Sequence, residues 1–349
     1  ELTEIKPTAS LSRVWEANVG GAGGFQFAPA SDGQAVYAAG REGRIAKLDL
    51  ATGREMWRVE TGRTLSAGVG FGADLVLVGT PKGELLAYRA SDGQSAWSAQ
   101  LSGEILAAPV AGAGVVAARG SDGKVWLFNA ADGKQRWVYS RSLPSLTLRE
   151  PAGLRMSDKA LYAGHAGGRL TALSLANGAP LWEANVALPK GVTELERIAD
   201  VTGALALDER IVCAAAYQGR VSCFDRISGN LGWSRDFSAL RGLDLDNRHV
   251  YAVDDRGAVQ AFELRRGTSP WKQDKLRDRR LSTPLAQGDY LAVGDYQGYV
   301  HLLDADTGAF AARAASDGSA ITAPMLPLNK GLVVQTSNGG VYAFRIGEK

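Results

Sequence analysis

Three histidines and two cysteines are the residue types best suited to metal or nucleophilic chemistry. A metal site needs several of them at short spacing. His165, His249 and His301 form no HxH or HxxxH pair, and each falls in or beside a different repeat strand. Cys213 and Cys223 flank a turn at Tyr217–Gly219. A three-residue loop makes them face each other and allows a cross-strand disulfide. A two-residue loop points them to opposite faces. The sequence leaves both open, with free buried thiols slightly favoured. Asp244-Leu245-Asp246-Asn247 and Asp304-Ala305-Asp306 offer oxygen ligands, but neither has the twelve-residue loop and closing Glu of a calcium hand. Both are read as hairpin turns. No G-x-S-x-G elbow, Walker A loop or helix-opening GxGxxG is present. These residues assign no catalytic group, metal site or cofactor.

Recurrence is the stronger signal. Gly-x-apolar-x-apolar-apolar, a turn ending in Gly, and Trp four residues later recur from GRIAKLDLATGREMW (Gly43–Trp57) to GAVQAFELRRGTSPW (Gly257–Trp271). A seventh copy from Gly298 has Ala312 in place of Trp, and an eighth from Gly339 stops before its turn. First glycines are spaced by 40, 40, 45, 51, 38, 41 and 41 residues. Such a period, with alternating apolar residues and turns such as Thr52–Gly53 and Asp92–Gly93, predicts an all-β, eight-bladed β-propeller of four-stranded antiparallel blades. Blade one is expected to run Phe25–Pro29, Ala35–Ala39, Arg44–Leu48 and Glu55–Val59 from the centre outward. The C-terminal unit lacks its Trp strand, and Ser12–Glu16 supplies a spare one, so the N-terminal strand is expected to close the ring. The chain divides into a tether over 1–11 and the propeller over 12–349. Seven of eight tryptophans hold the repeated position and are read as packing between blades; Trp126 does not.

Net charge is +2, which gives no reason to expect nucleic acid. The longest uncharged run, Ala17–Ser31, is fifteen residues and rich in Gly, so no spanning helix is expected. The chain starts at Glu1 with no signal-peptide pattern, as a processed chain would.

Function in a repeat fold tends to lie where the period is broken. The spacings of 45 and 51 add Ser140–Glu150 (SRSLPSLTLRE) and Asn185–Thr202 (NVALPKGVTELERIADVT). Both join the outer strand of one blade to the inner strand of the next. They therefore share one face of the disc and lie side by side. Leu143, Leu146 and Leu148 with Arg149, and Val192, Leu195 and Ile198 with Glu194, Arg197 and Asp200, suit a protein interface with an apolar centre and charged rim. The competing expectation is that these apolar side chains fold back and cap the disc.

The repeat resembles the quinoprotein-type (PQQ-like) propeller family. SLTLRE (Ser145–Glu150), TELERIADV (Thr193–Val201) and VGDYQGYVH (Val293–His301) narrow the resemblance to the BamB family, lipoproteins of the bacterial outer-membrane β-barrel assembly (BAM) machinery. That resemblance implies a non-enzymatic scaffold on the periplasmic face of the outer membrane, held by an N-terminal lipid anchor outside this chain. It implies a POTRA domain of the central, BamA-like barrel subunit as partner, with unfolded outer-membrane proteins as further candidates. Carried over by motif, the partner-binding residues are Leu146, Leu148, Arg149 and Asp200, joined from the same loops by Leu195, Arg197 and Thr202. Thr202 stands where the family has a second acidic residue. The rival readings are a propeller that binds a sugar or peptide in its central channel, and a quinone-dependent dehydrogenase with a calcium-held cofactor.

Overall fold

The computed structural model describes residues 2–348. It is an eight-bladed propeller with antiparallel blades of four strands each. Blade two, for example, runs Ala67–Gly72, Leu75–Gly79, Glu84–Arg89 and Ser95–Gln100 from the centre outward. Its second and third strands alternate Val, Leu and Ala toward the two neighbouring blades, so both faces of the sheet are buried. The core is accordingly a series of slabs between blades, such as Leu77, Leu85, Trp97, Val116 and Phe128 between blades two and three.

The tryptophans are the pegs of this ring. Each indole lies on the glycine that ends the hairpin turn of the next blade; a Cβ on Gly133 would sit 2.6 Å from the Trp97 ring. Gly133 also has φ +71°, so the turn needs glycine twice over. Each indole N–H donates to a carbonyl of that turn: Trp15 to Leu50, Trp57 to Ala90, Trp97 to Ala130, Trp137 to Leu175, Trp182 to Arg226, Trp233 to Leu264 and Trp271 to Ala305. Burial of a large ring with its N–H satisfied is the stable use of Trp. Trp126, outside the pattern, stacks on Phe128.

The exception at Ala312 now has a reason. Blade eight consists of Leu326–Leu328, Gly331–Gln335, Gly340–Glu348 and the closing strand Ala9–Asn18. Its third and outer strands come from opposite chain ends, so no turn and no glycine join them. A Trp on blade seven would have nothing to dock on. Instead Thr8 N–H donates to Ala311 O, and Arg313 Nη1 donates to Thr3 O. The closing strand thus starts at Ala9, three residues before the Ser12 expected from sequence.

Three expectations need correction. The inner strand of blade one is Ala30–Ser31, not Phe25–Pro29. Gln26–Phe27 instead pairs in parallel with Ala67–Gly68 of blade two. The cysteines are bonded: three residues separate the paired Ala216 and Arg220, which sets Cys213 directly opposite Cys223, and their Cα atoms lie 4.1 Å apart. Asp246 and Asp304 do cap turns through backbone N–H groups, but Asp244 is not a turn residue. It lies in the inner strand Leu243–Leu245 and accepts from Ala286 N–H of blade seven (2.8 Å), and burial raises its pKa.

Candidate functional site

Blade three ends with the outer strand Gln135–Tyr139 and blade four with Pro180–Asn185. The two long connectors leave these strands on the same face and meet over blade four. The first lays Leu143 against Gly123 and Pro144 over Gly167, then turns inward at Leu148. The second projects and returns. Its tip is fixed by a capping box in Thr193-Glu194-Leu195-Glu196. Thr193 Oγ1 accepts from Glu196 N–H (3.2 Å), while Glu196 Oε2 accepts from Val192 and Thr193 N–H (2.8 and 3.0 Å). Those donors hold the Glu196 carboxyl below its usual pKa. The single turn that follows places Leu195 and Arg197 in solvent, and Val192, just before the cap, is 96 % exposed.

Asp200 joins the loops. It is only 3 % exposed, and its carboxylate accepts from Leu148 N–H (2.7 Å) and Gly167 N–H (3.0 Å). Charged acceptors make the stronger hydrogen bonds, so the main chain of the first loop is pinned at Leu148. Thr202 is also buried, and its hydroxyl donates to Leu240 O (2.9 Å). Pairing continues below, where Gly203 N–H meets Pro151 O (2.7 Å) and Gly153 N–H meets Gly203 O (2.9 Å). The side-by-side placement inferred from spacing is therefore what the chain adopts. The side chains of Asp200 and Thr202, however, are buried rather than exposed on the surface. They face inward because they alternate with the loop's own apolar anchors, Ala199 and Val201, in a segment buried on both sides.

The exposed part consists of Leu146 (42 % exposed), half-buried Leu148 and exposed Arg149, with Leu195 and Arg197 on the projecting turn. Arg149 forms a two-pronged ion pair with Glu104 (2.7 and 3.2 Å) and lies over the Phe25 ring. Leu148, Arg149, Asp200 and Thr202 border a cavity of about 290 Å³ with Glu104 and Arg119; Leu195 and Arg197 stand outside its wall. Ile198 is half-buried, so the capping expectation holds for it, whereas Leu143 touches Gly123 yet stays as exposed as Leu146, at 42 %.

Under the cavity, Arg119 donates to Gly164 O and approaches His165 Nδ1 (3.3 Å), and His165 Nε2 meets Thr171 Oγ1 (2.7 Å). Burial pushes the guanidinium down to about 10, so it stays charged at neutral pH. Burial, then Arg119 and Arg141, depress the imidazole well below its usual value, so it stays neutral. Sequence reading passed over Arg119, though a signal existed. Blades one, two, five and seven carry Ala39, Gly79, Ala215 and Gly294 at the equivalent position, one before the residue that opens the second turn. Blade four carries Gly164 there, and blade three alone of these carries a charged residue, Arg119, where the first long loop attaches; His165 is one residue further on, where blades one and three have Gly40 and Gly120. Glu104 left no such mark.

The channel does not fit a calcium-held quinone. Among the described residues no group of three or more His, Cys, Asp or Glu converges. The channel's charged groups are engaged already: Arg241 with Glu150 (3.2 Å), and Arg155 with Leu205 O (2.9 Å).

The chain has relatives among known proteins. A family model described as "Outer membrane protein assembly factor BamB" matches residues 9–62, 41–273 and 271–348. The protein of that name from Burkholderia pseudomallei is 43% identical over 345 residues, covering 99% of this chain and 90% of the relative. The crystal structure of BamB from Moraxella catarrhalis superposes with a TM-score of 0.87 at 27% identity, over 96% of this chain and 100% of that one. Quinohemoprotein alcohol dehydrogenase from Comamonas testosteroni has a TM-score of 0.73 at 14% identity, covering 96% and 76% of the two chains, which shows a shared fold alone.

Proposed function

Because the chain belongs to the BamB family of outer membrane protein assembly factors, we propose that it is a non-enzymatic scaffold of the BAM complex that binds a POTRA domain of the central, BamA-like subunit. It acts at the periplasmic face of the outer membrane, tethered by a lipid anchor ahead of this chain. The observation that carries the reading is the bond from buried Asp200 to Leu148 N–H, which makes one surface of two loops. On that surface Leu146 and Leu148 are the apolar centre and Arg149 the adjoining charge. Leu195 and Arg197 add a flanking contact from the projecting turn. Interfaces draw most of their energy from a few such anchors. Glu104 holds the Arg149 guanidinium in place before the partner arrives, which lowers the ordering cost of binding.

The test is a pull-down with the purified periplasmic region of the barrel subunit from the same source. Leu148→Asp with Arg149→Glu removes two anchors, each worth roughly 2–4 kcal/mol. The intact chain is expected to capture its partner and the double variant to lose it while keeping its circular dichroism. Capture by both would move the site elsewhere, and capture by neither would remove the assembly reading.

A further inference from the structure

The channel wall is built from the inner segments of the blades, and on two arcs these segments zip together in parallel. On one arc Gln26–Phe27 lies beside Ala67–Gly68, with Ala28 N–H donating to Gly68 O and Val69 N–H to Ala28 O (both 2.8 Å). On the other, Pro151–Gly153 pairs with Gly203, and Ala204 pairs with Gly242, with Leu243 N–H donating to Ala204 O (2.9 Å). Between the arcs lies the inner segment of blade three, Leu106–Pro109, and it joins neither. The N–H groups of Leu106, Ala107 and Ala108 have no protein partner among the described residues. Here the channel opens into a cavity of about 410 Å³, bordered by segments of all eight blades. Its walls include Val69, Phe71, Leu154, Met156 and Leu205.

We propose that this cavity binds a short extended peptide of alternating apolar residues, which pairs in parallel with Leu106–Ala108 and continues the zipper across the gap. The volume lies in the range of small-ligand sites. An added strand accepts from amides two residues apart, the spacing of Leu106 and Ala108 on either side of the bend at Ala107, and Gln26–Phe27 is an example of such an addition within the chain itself. A saccharide would call for unpaired polar side chains, but the charged groups here are already engaged. Leu106, Ala107 and Glu150 border both this cavity and the one under Leu148, so the peptide site opens beside the loops yet does not depend on their partner.

The test is amide NMR on the deuterated full chain, titrated with a capped hexapeptide alternating valine and threonine. A glycine–serine hexapeptide and maltohexaose serve as controls. The Leu106, Ala107 and Ala108 amide resonances are expected to shift with the first probe alone. Ala107→Trp, which fills the cavity, is expected to weaken binding at least tenfold, as is Met156→Trp on the facing wall should the first variant not fold. Leu148→Asp with Arg149→Glu is expected to bind the peptide unchanged, which separates this site from the scaffold surface. Unmoved amides, equal shifts with maltohexaose, or a folded cavity-filled variant that binds like the intact chain would each overturn the proposal.

Discussion

Replacing Asp200 by Ala asks whether that carboxylate touches the partner or acts through Leu148. The substitution removes the acceptor of two N–H groups, those of Leu148 and Gly167. Hydrogen bonds to charged groups contribute about 1.5–3 kcal/mol each. Gly167 lies in the turn between the paired His165 and Arg169, whereas Leu148 lies in a loop outside any strand, so the larger loss falls on the first loop. If about 2 kcal/mol of that loss appears as disorder of Leu148 before binding, partner affinity falls about thirtyfold, since 1.4 kcal/mol is tenfold. Calorimetry on the intact chain, Asp200→Ala, Leu148→Ala and the double variant completes a cycle. A positioning role gives a coupling of roughly 1–2 kcal/mol, because once the Leu148 side chain is gone its placement no longer matters. The loss is also insensitive to salt, since a buried carboxylate bonded to the main chain is little screened. Hydrogen exchange at the Leu148 amide should speed up in the absence of partner. Additive losses that shrink in high salt, with the Leu148 amide still protected, would refute the argument and make Asp200 a direct contact.

Tryptophan should act in opposite directions at two equivalent positions. Trp137→Ala removes an indole docked on Gly178 and is expected to destabilise by about 3–5 kcal/mol, while Ala312→Trp, where no glycine turn exists, overpacks a site 2 % exposed and should destabilise by about 1–3 kcal/mol; urea unfolding measures both. His165 has a depressed folded pKa, so its contribution is complete above the unfolded value of about 6.5 and is lost as pH falls through the folded value. Stability should therefore decline below that pH with a slope of up to about 1.4 kcal/mol per unit from this residue, and His165→Gln should remove that share between pH 5 and 7. Cys213 and Cys223 close a loop with a sequence separation of 10; the chain-entropy relation gives about 3 kcal/mol, so Cys213→Ser with Cys223→Ser should lower urea stability by up to that amount without moving partner affinity.

The architecture was legible because its determinants are local and repeated. A glycine that must adopt a left-handed turn and a Trp that must reach the next turn recur at fixed spacing, and the seam showed as a missing Trp beside a spare strand. The two loops were legible as breaks in that period. What stayed hidden depends on direction, which spacing does not encode in an irregular segment. Asp200 and Arg197 are both charged residues of one loop, yet the first is buried and the second exposed. The inward turn follows from Gly167 and Leu148 offering their N–H groups at one point, a contact across 33 and 52 residues of sequence. Cys213 and Cys223 posed the same problem over a single turn, where one residue of loop length decided the pairing.

The rim bears on how unfolded clients could be held. Strand addition needs a straight edge with free N–H and C=O groups. Seven outer strands have a bulge at the residue before the docking Trp or its Ala312 equivalent, including Val14, Met56 and Leu181. The remaining outer strand, Lys272–Gln273, is two residues long. Short and bulged edges are among the devices that oppose pairing. The bulge beside six of the docking tryptophans therefore also blunts the outer edge, and it leaves Val14, Met56 and Leu181 exposed. A packing requirement at the rim thus opposes regular strand addition there. Free amides lie at the opposite edge of the blades, at Leu106–Ala108 in the channel. An extended client segment that pairs with this molecule should therefore protect channel amides from exchange and leave the outer strands as they are.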